Sequence, residues 1–278
     1  MPAKLTNEKI NIIKSRIKEN ISYSDIAQEI GVSKNCVFRY AKELGINTGA
    51  KFKRKHRLNE NVFDVIDTEE KAYWLGFIVA DGATCYTTTY YKNNLKPNRF
   101  YINLSIKDIN HLEKLKSFLS TESNIETYIP KGTYSKKEMC KLIVNSTTLC
   151  KGLWKYGIVP AKTGIEQFPK IQQVPDTLMK HFIRGFFDGD GSIYKHSDTR
   201  SCIQFTGNYS MLSDLKHFLM NHNIVHNNCK IVEDSRGKNA CTYHFSKQED
   251  VNRFYDYIYS DATVFLERKY NKFGNSLC

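Results

Sequence analysis

Two stretches decide how this chain reads: Ala72–Gly82, AYWLGFIVADG, and its echo Phe182–Gly191, FIRGFFDGDG. Each is a short apolar run that contains a glycine and ends abruptly in Asp-Gly. Wound as a helix, the first puts Leu75, Ile78 and Val79 on one face, and the second does the same with Phe182, Ile183 and Phe186. Asp81 and Asp190 then stand at equivalent ends. A glycine inside a helix carries a propensity cost, so Gly76 and Gly185 ask for a packing reason. Helices lying side by side supply one: the glycines let the backbones approach closely, and both aspartates arrive at the same end of the seam.

Two carboxylates at one point make a candidate metal site. Mg²⁺ prefers oxygen ligands and keeps several waters, so the pair suits phosphodiester hydrolysis, in which metal activates water and stabilises the leaving oxygen. The plainer reading, two core helices that end in Asp-Gly turns, explains the apolar residues but not the repeat. Asp188 is not a symmetric candidate, because the first copy has Val79 at that place.

The paired segments resemble the two motif helices of LAGLIDADG homing endonucleases in their single-chain, double-motif form. LGFIVADG at 75–82 and RGFFDGDG at 184–191 match the motif after its first position, where Trp74 and Ile183 stand. The resemblance covers residues 68–273, and VNRFYDYIYSDATVFLERKYNKF extends it outside the acidic motifs. It implies a site-specific endonuclease that hydrolyses double-stranded DNA and promotes movement of its own coding element. Asp81 and Asp190 are then the catalytic metal ligands, with Mg²⁺, or Mn²⁺ in its place, as cofactor. The resemblance also implies basic or amide helpers on strands near the acids. Lys141 fits in the first half and Gln204 in the second, with Asn103 the approximate counterpart of Gln204 and Tyr243 in the register of Lys141. Two other functions stay open: a noncatalytic DNA-binding transcriptional regulator, and an RNA-splicing maturase acting on structured intron RNA.

Around the motifs, apolar periodicity predicts one order of elements twice. In the first half it is a helix at 67–80, strands at 83–91 and 100–106, a helix at 111–119, strands at 125–130 and 139–145, and a helix at 147–156. In the second half, helices at 175–188, 211–220 and 248–259 alternate with strands at 192–194, 202–206, 225–233 and 240–245, and a terminal segment follows at 265–273. The fold class expected is α+β, two pseudo-symmetric αββαββα halves preceded by a small all-α domain. The corresponding boundaries are 1–47, a basic linker 48–66, 67–160 and 161–278. Arg99, Lys107 and Lys195 are candidate phosphate contacts on a sheet saddle. Leu266, Tyr270 and Phe273 read as packing residues, while Arg268, Lys269 and Lys272 read equally as phosphate contacts or solvated surface.

The N-terminal stretch SYSDIAQEIGVSKNCVFRYAKELGI resembles a helix-turn-helix of the resolvase and small-regulator type, whose third helix enters the major groove. Thr6 or Asn7, Ser22 or Ser24, and Ser33 are the expected caps of three helices, with Gly45 as the stop. Lys34, Asn35, Arg39 and Lys42 are the candidate DNA-facing residues, and Val37, Phe38 and Ala41 are expected to pack inward. Lys51, Lys53, Arg54, Lys55 and Arg57 form a basic run suited to phosphates or to an ordinary solvated linker.

Composition bounds these readings. The 278 residues carry 41 Lys and Arg against 29 Asp and Glu, a net charge of +12 compatible with a polyanionic partner. Sixteen Phe, 17 Tyr and two Trp argue against general disorder. The eight cysteines include no CxxC pair and read as reduced thiols. No apolar run approaches the ~18 residues of a membrane span, and the first residues do not form a signal region. An intracellular protein is expected, cytoplasmic or nucleoid-associated, with viral or organellar origin open. Both motifs sit in one chain, so a monomer is expected.

Overall fold

The structure is a computed structural model that describes residues 5–19, 21–46, 57–86, 97–131, 137–197, 200–226, 229–234 and 239–277. Its internal contacts separate two units, Met1–Arg57 and Leu58–Cys278.

In the smaller unit, α1 spans Asn7–Lys18, α2 Tyr23–Glu29 and α3 Lys34–Glu43. A hydroxyl opens each helix: Thr6, Ser22 and Ser33 accept from the backbone N–H of Lys9, Asp25 and Cys36, partnering donors that a helix start leaves open. Ile13, Ile17, Ile26, Ala27, Ile30, Val37 and Ala41 close the core. Phe38 does not join them and is 49% exposed. Val37 and Ala41 already supply the buried stripe of α3, and Phe38 lies about 100° around the helix from Val37, on the face of Lys34 and Lys42.

The larger unit builds the predicted order twice. Its first half runs α4 Glu69–Asp81, β1 Gly82–Tyr86, β2 Pro97–Ser105, α5 Ile109–Phe118, β3 Ile125–Tyr128, β4 Met139–Asn145 and α6 Thr147–Trp154. Its second half runs α7 Asp176–Asp190, β5 Gly191–Ser197, β6 Arg200–Gly207, α8 Tyr209–Asn221, β7 Ile231–Glu233, β8 Cys241–Phe245 and α9 Gln248–Tyr259, and α10 Glu267–Leu277 follows. Each half makes a four-stranded antiparallel sheet, ordered β1-β2-β4-β3 and β5-β6-β8-β7. Alternation sets one sheet face inward: Cys140, Leu142 and Val144 on β4, and Cys241, Tyr243 and Phe245 on β8, are buried. Among the described residues, the strand expected from residue 225 pairs over 231–233, since the Ile224 and Val225 N–H groups bond back to Leu219 O after α8.

The seam between α4 and α7 is the most extensive contact between any two elements among the described residues. Every residue from Ala72 to Val79 is buried, as in a helix enclosed on all sides. A Cβ on Gly76 would stand 2.0 Å from Phe182 O, and one on Gly185 would stand 1.9 Å from Tyr73 O. Each motif glycine therefore admits the backbone of the other helix. Both helices run one or two residues past their expected ends, to the aspartates themselves.

Candidate active site

Asp81 and Asp190 are the last residues of α4 and α7, and Gly82 and Gly191 turn directly into β1 and β5. A Cβ on Gly189 would lie 3.2 Å from Asp81 Oδ2, so the Asp81 carboxylate rests against the terminal turn of the opposite motif helix. Both side chains reach solvent. The protein packed around them nevertheless disfavours their charged forms. Asp81 is pushed up to about 7, by burial and then by the charge of Asp190, and Asp190 is pushed up to about 6 by burial.

Two lysines flank the carboxylates. Lys162, in the segment between α6 and α7, donates from Nζ to Val79 O at 2.6 Å and Ala80 O at 3.0 Å. Lys269, on α10, donates to Phe187 O at 2.7 Å, Gly189 O at 2.9 Å and Gly191 O at 2.6 Å. A helix end leaves carbonyls unpaired and carries the negative pole of the backbone dipole. A buried ammonium answers both needs at each motif helix. Burial pulls both lysines down, Lys269 to about 8, while the two aspartates oppose that fall. In return, Lys269 and Lys162 favour the ionised form of Asp81, with Arg268 behind them. A cleft of about 290 Å³ opens beside Asp190, with Ala80, Lys162, Glu166, Thr206 and Asn208 in its wall.

The two expected helpers lie on sheet strands, as the sequence placed them. Lys141 is on the open face of the first sheet, 3.2 Å from Glu126 and over the Tyr128 ring. Gln204 lies across from Ser192 and His244, within 3.5 Å of the Tyr194 hydroxyl. The halves also correspond differently from the expected register. Gly82 pairs with Ile102 and Gly191 with Phe205. That alignment makes Thr242 the counterpart of Lys141 and Tyr101 the counterpart of Gln204. Tyr243, one residue away, points into the core, as a single-residue step in a strand requires.

Of the other expected contacts, Lys34, Asn35 and Lys42 are exposed on α3, and Arg39 lies 3.9 Å from Glu43. Arg57 is exposed, whereas Lys51, Lys53, Arg54 and Lys55 lie outside the described residues. Arg99 reaches across the sheet to Asn145 Oδ1 at 3.2 Å, and Lys107 and Lys195 are exposed. Arg268 pairs with Asp108 at 2.9 Å. Lys269 is buried and so is not solvated surface. A signal for it was present: Leu266, Lys269 and Phe273 share one helical stripe, which puts a lysine among packing residues.

Asp188 holds the seam. It accepts from Tyr73 Oη at 2.8 Å, Tyr259 Oη at 2.7 Å and the Leu266 N–H at 2.7 Å. Because the Tyr73 proton goes to Asp188, the 2.9 Å contact with His111 has His111 Nε2 donating. Arg184, wholly buried, binds Val264 O, Ile258 O and Glu69.

Among the described residues, no three of His, Cys, Asp and Glu gather to hold a metal. Asp190 at the cleft and Asp81 against the adjoining Gly189 turn still fit Mg²⁺, which takes one or two carboxylates and fills its shell with water and phosphate oxygens. No helix among the described residues is long and apolar enough to cross a membrane.

The two halves repeat one element order and one sheet order, α+β with a four-stranded antiparallel sheet in each. Residues 177–259, within the second half, match the family model described as LAGLIDADG-like domain. One curated relative, the replication factor C small subunit of Methanocaldococcus jannaschii, is 26% identical over 230 residues. That match covers 81% of this chain but only 11% of the relative's length. Among solved structures, I-SmaMI bound to uncleaved DNA target in the presence of calcium ions is 18% identical with a TM-score of 0.49, covering 73% of this chain and 87% of that one. The homing endonuclease I-GzeII in complex with its DNA target is 16% identical with a TM-score of 0.48, covering 75% and 88%.

Proposed function

We propose that this protein is a divalent-metal-dependent endonuclease that cuts double-stranded DNA at specific sites. The observation that carries the reading is the convergence of Asp81 and Asp190 at one end of the α4–α7 seam, each beside a buried lysine. Asp81 and Asp190 hold the metal. Mg²⁺ bound there supplies activation of water and stabilisation of charge on the phosphate and leaving oxygen.

The protein's own groups prepare that site. Lys162 and Lys269 fix the helix ends through five backbone carbonyls, so the carboxylates meet from rigid elements. The same ammonium groups offset the repulsion between two carboxylates that burial already disfavours. The open sheet faces, with Arg99, Tyr101, Asn103, Lys141, Tyr194, Lys195 and Gln204, form the surface that tracks duplex DNA. Lys141 and Gln204, on strands of those faces, serve as the basic and amide helpers to the acids. The N-terminal unit adds affinity by placing α3 in a major groove, with Lys34, Asn35, Arg39 and Lys42 facing DNA. One chain supplies both acids, so a monomer suffices, and mobility of its own coding element is the matching biological role.

The test is Mg²⁺-dependent cleavage of a randomised duplex library, sequencing recovered ends, with Asp81→Asn and Asp190→Asn proteins as controls. Reproducible ends lost by at least about 100-fold in either control support the assignment. Selective DNA binding without ends, in Mg²⁺ and in Mn²⁺, overturns it in favour of a regulator. Protection of structured RNA without DNA cleavage overturns it in favour of a maturase.

A further inference from the structure

The ring of Phe38 is a misplaced residue by the logic of its own helix. α3 buries Val37 and Ala41, and its other face presents Lys34, Asn35 and Lys42. Phe38 stands in the middle of that polar face, one turn after Lys34 and one turn before Lys42, with half of its surface in water. Its neighbours do not draw it inward. Tyr23 meets it edge-on, with ring centroids 6.3 Å apart. That contact steadies the base of the ring and leaves its outer part projecting between two cations.

An apolar group held out among basic side chains, on a helix suited to a major groove, has a defined chemical complement. The cations meet phosphates, which fix the helix but carry no sequence information. The groove floor offers one apolar group, the C5 methyl of thymine, which an apolar side chain recognises without a hydrogen bond. Asn35 lies three residues before Phe38 on the same face and is of the type that pairs with adenine N6 and N7. We infer that Phe38 is a specificity-determining residue that reads a thymine methyl in the major groove. This rests on the proposed DNA contact of the N-terminal unit, and it adds what that contact selects.

The experiment uses the full chain without added divalent metal. A duplex site is first selected from a randomised library, and each thymine in it is then replaced singly by deoxyuridine, which removes only the methyl. Affinities are measured for wild type, Phe38→Ala, Phe38→Leu and the double variant Lys34→Ala/Lys42→Ala, with circular dichroism confirming that each is folded. The expected result is at least one thymine at which uracil costs wild type about threefold to fivefold, the size of one lost methyl contact. Phe38→Ala should show the weaker affinity already and be indifferent to uracil there, and Phe38→Leu should keep part of the sensitivity. Uracil effects equal in wild type and Phe38→Ala, or absent throughout, overturn the inference. If Lys34→Ala/Lys42→Ala still weakens binding in that case, DNA contact by this unit stands without methyl reading. If the double variant binds as wild type does, the DNA contact itself fails and the inference falls with it. Altered self-association of Phe38→Ala with unchanged DNA preference reassigns the ring to a protein contact and also overturns it.

Discussion

The ends of the two motif helices do the same work with unequal means. At the end of α4, Lys162 holds two carbonyls, and the residue two before the acid is Val79, packed in the core. At the end of α7, Lys269 holds three carbonyls, and the matching residue is Asp188, which gathers two tyrosine hydroxyls and the Leu266 N–H. Leu266 immediately precedes α10, which carries Lys269, so Asp188 also seats the element that caps its own helix. The difference teaches that a carboxylate in a motif can be structural or chemical depending on which way it faces. Asp188 is fully enclosed and saturated with donors, whereas Asp190, two residues on, reaches solvent with its charge resisted by its surroundings.

Breaking the second end should cost most. Asp188→Leu strands three buried donors and is expected to lower unfolding free energy by about 3–5 kcal/mol, against less than about 1.5 kcal/mol for Val79→Leu in the first half. Urea denaturation of the two variants measures the gap, and equal losses would dissolve the asymmetry. Next come the caps themselves. Lys269→Met leaves three carbonyls to find new partners and Lys162→Met leaves two, for expected losses of about 3 and about 2 kcal/mol. The same denaturation series ranks them, and a costlier Lys162→Met would reverse the comparison.

The smallest effect concerns protons. Burial holds His111 of the first half down to about 3, and His181 of the second half down to about 4. Both stay neutral in the folded protein below the pH at which the unfolded chain protonates them. Stability is therefore undiminished above about pH 6.5 and declines as pH falls toward these values, by at most about 1.4 kcal/mol per histidine per pH unit. Denaturation between pH 7.5 and 5 should show a shallower slope for His111→Phe and for His181→Phe than for wild type. An unchanged slope in either would mean that its imidazole is protonated in the fold.

The two-half fold was legible because its evidence is local. A glycine amid apolar residues, an Asp-Gly end and strand alternation all lie within a few residues of one another, and each appears twice. The lysines were harder because their meaning depends on distant backbone. Lys162 sits in AKTG, where no periodicity marks it, and it reaches Val79 O and Ala80 O more than 80 positions away. Lys269 and Phe38 are opposite errors of one kind: a cation on an apolar stripe and an aromatic on a polar one. Assigning each residue by its own polarity rather than by its stripe put both on the wrong side of their helices. Lys141 and Gln204 were legible as strand positions because each alternates with buried neighbours, which puts them on the open sheet faces. The slip from Thr242 to Tyr243 came from matching Leu149 with Val251, which stand one place apart in their helices, whereas Lys141 and Thr242 lie equally far before α6 and α9.

The origin of Lys162 bears on how this chain could be taken apart. A cut after Pro160 looks natural, since it follows the last helix of the first half, yet it removes the cation that closes α4 and leaves that helix end bare. The first half is complete only as a piece that borrows its neighbour's opening residues, so the two halves are not interchangeable cassettes. Fusions, grafts or split versions that join the chain beyond Glu166 would carry the borrowed lysine with them, while those joined at 160 would inherit a motif without its counter-charge.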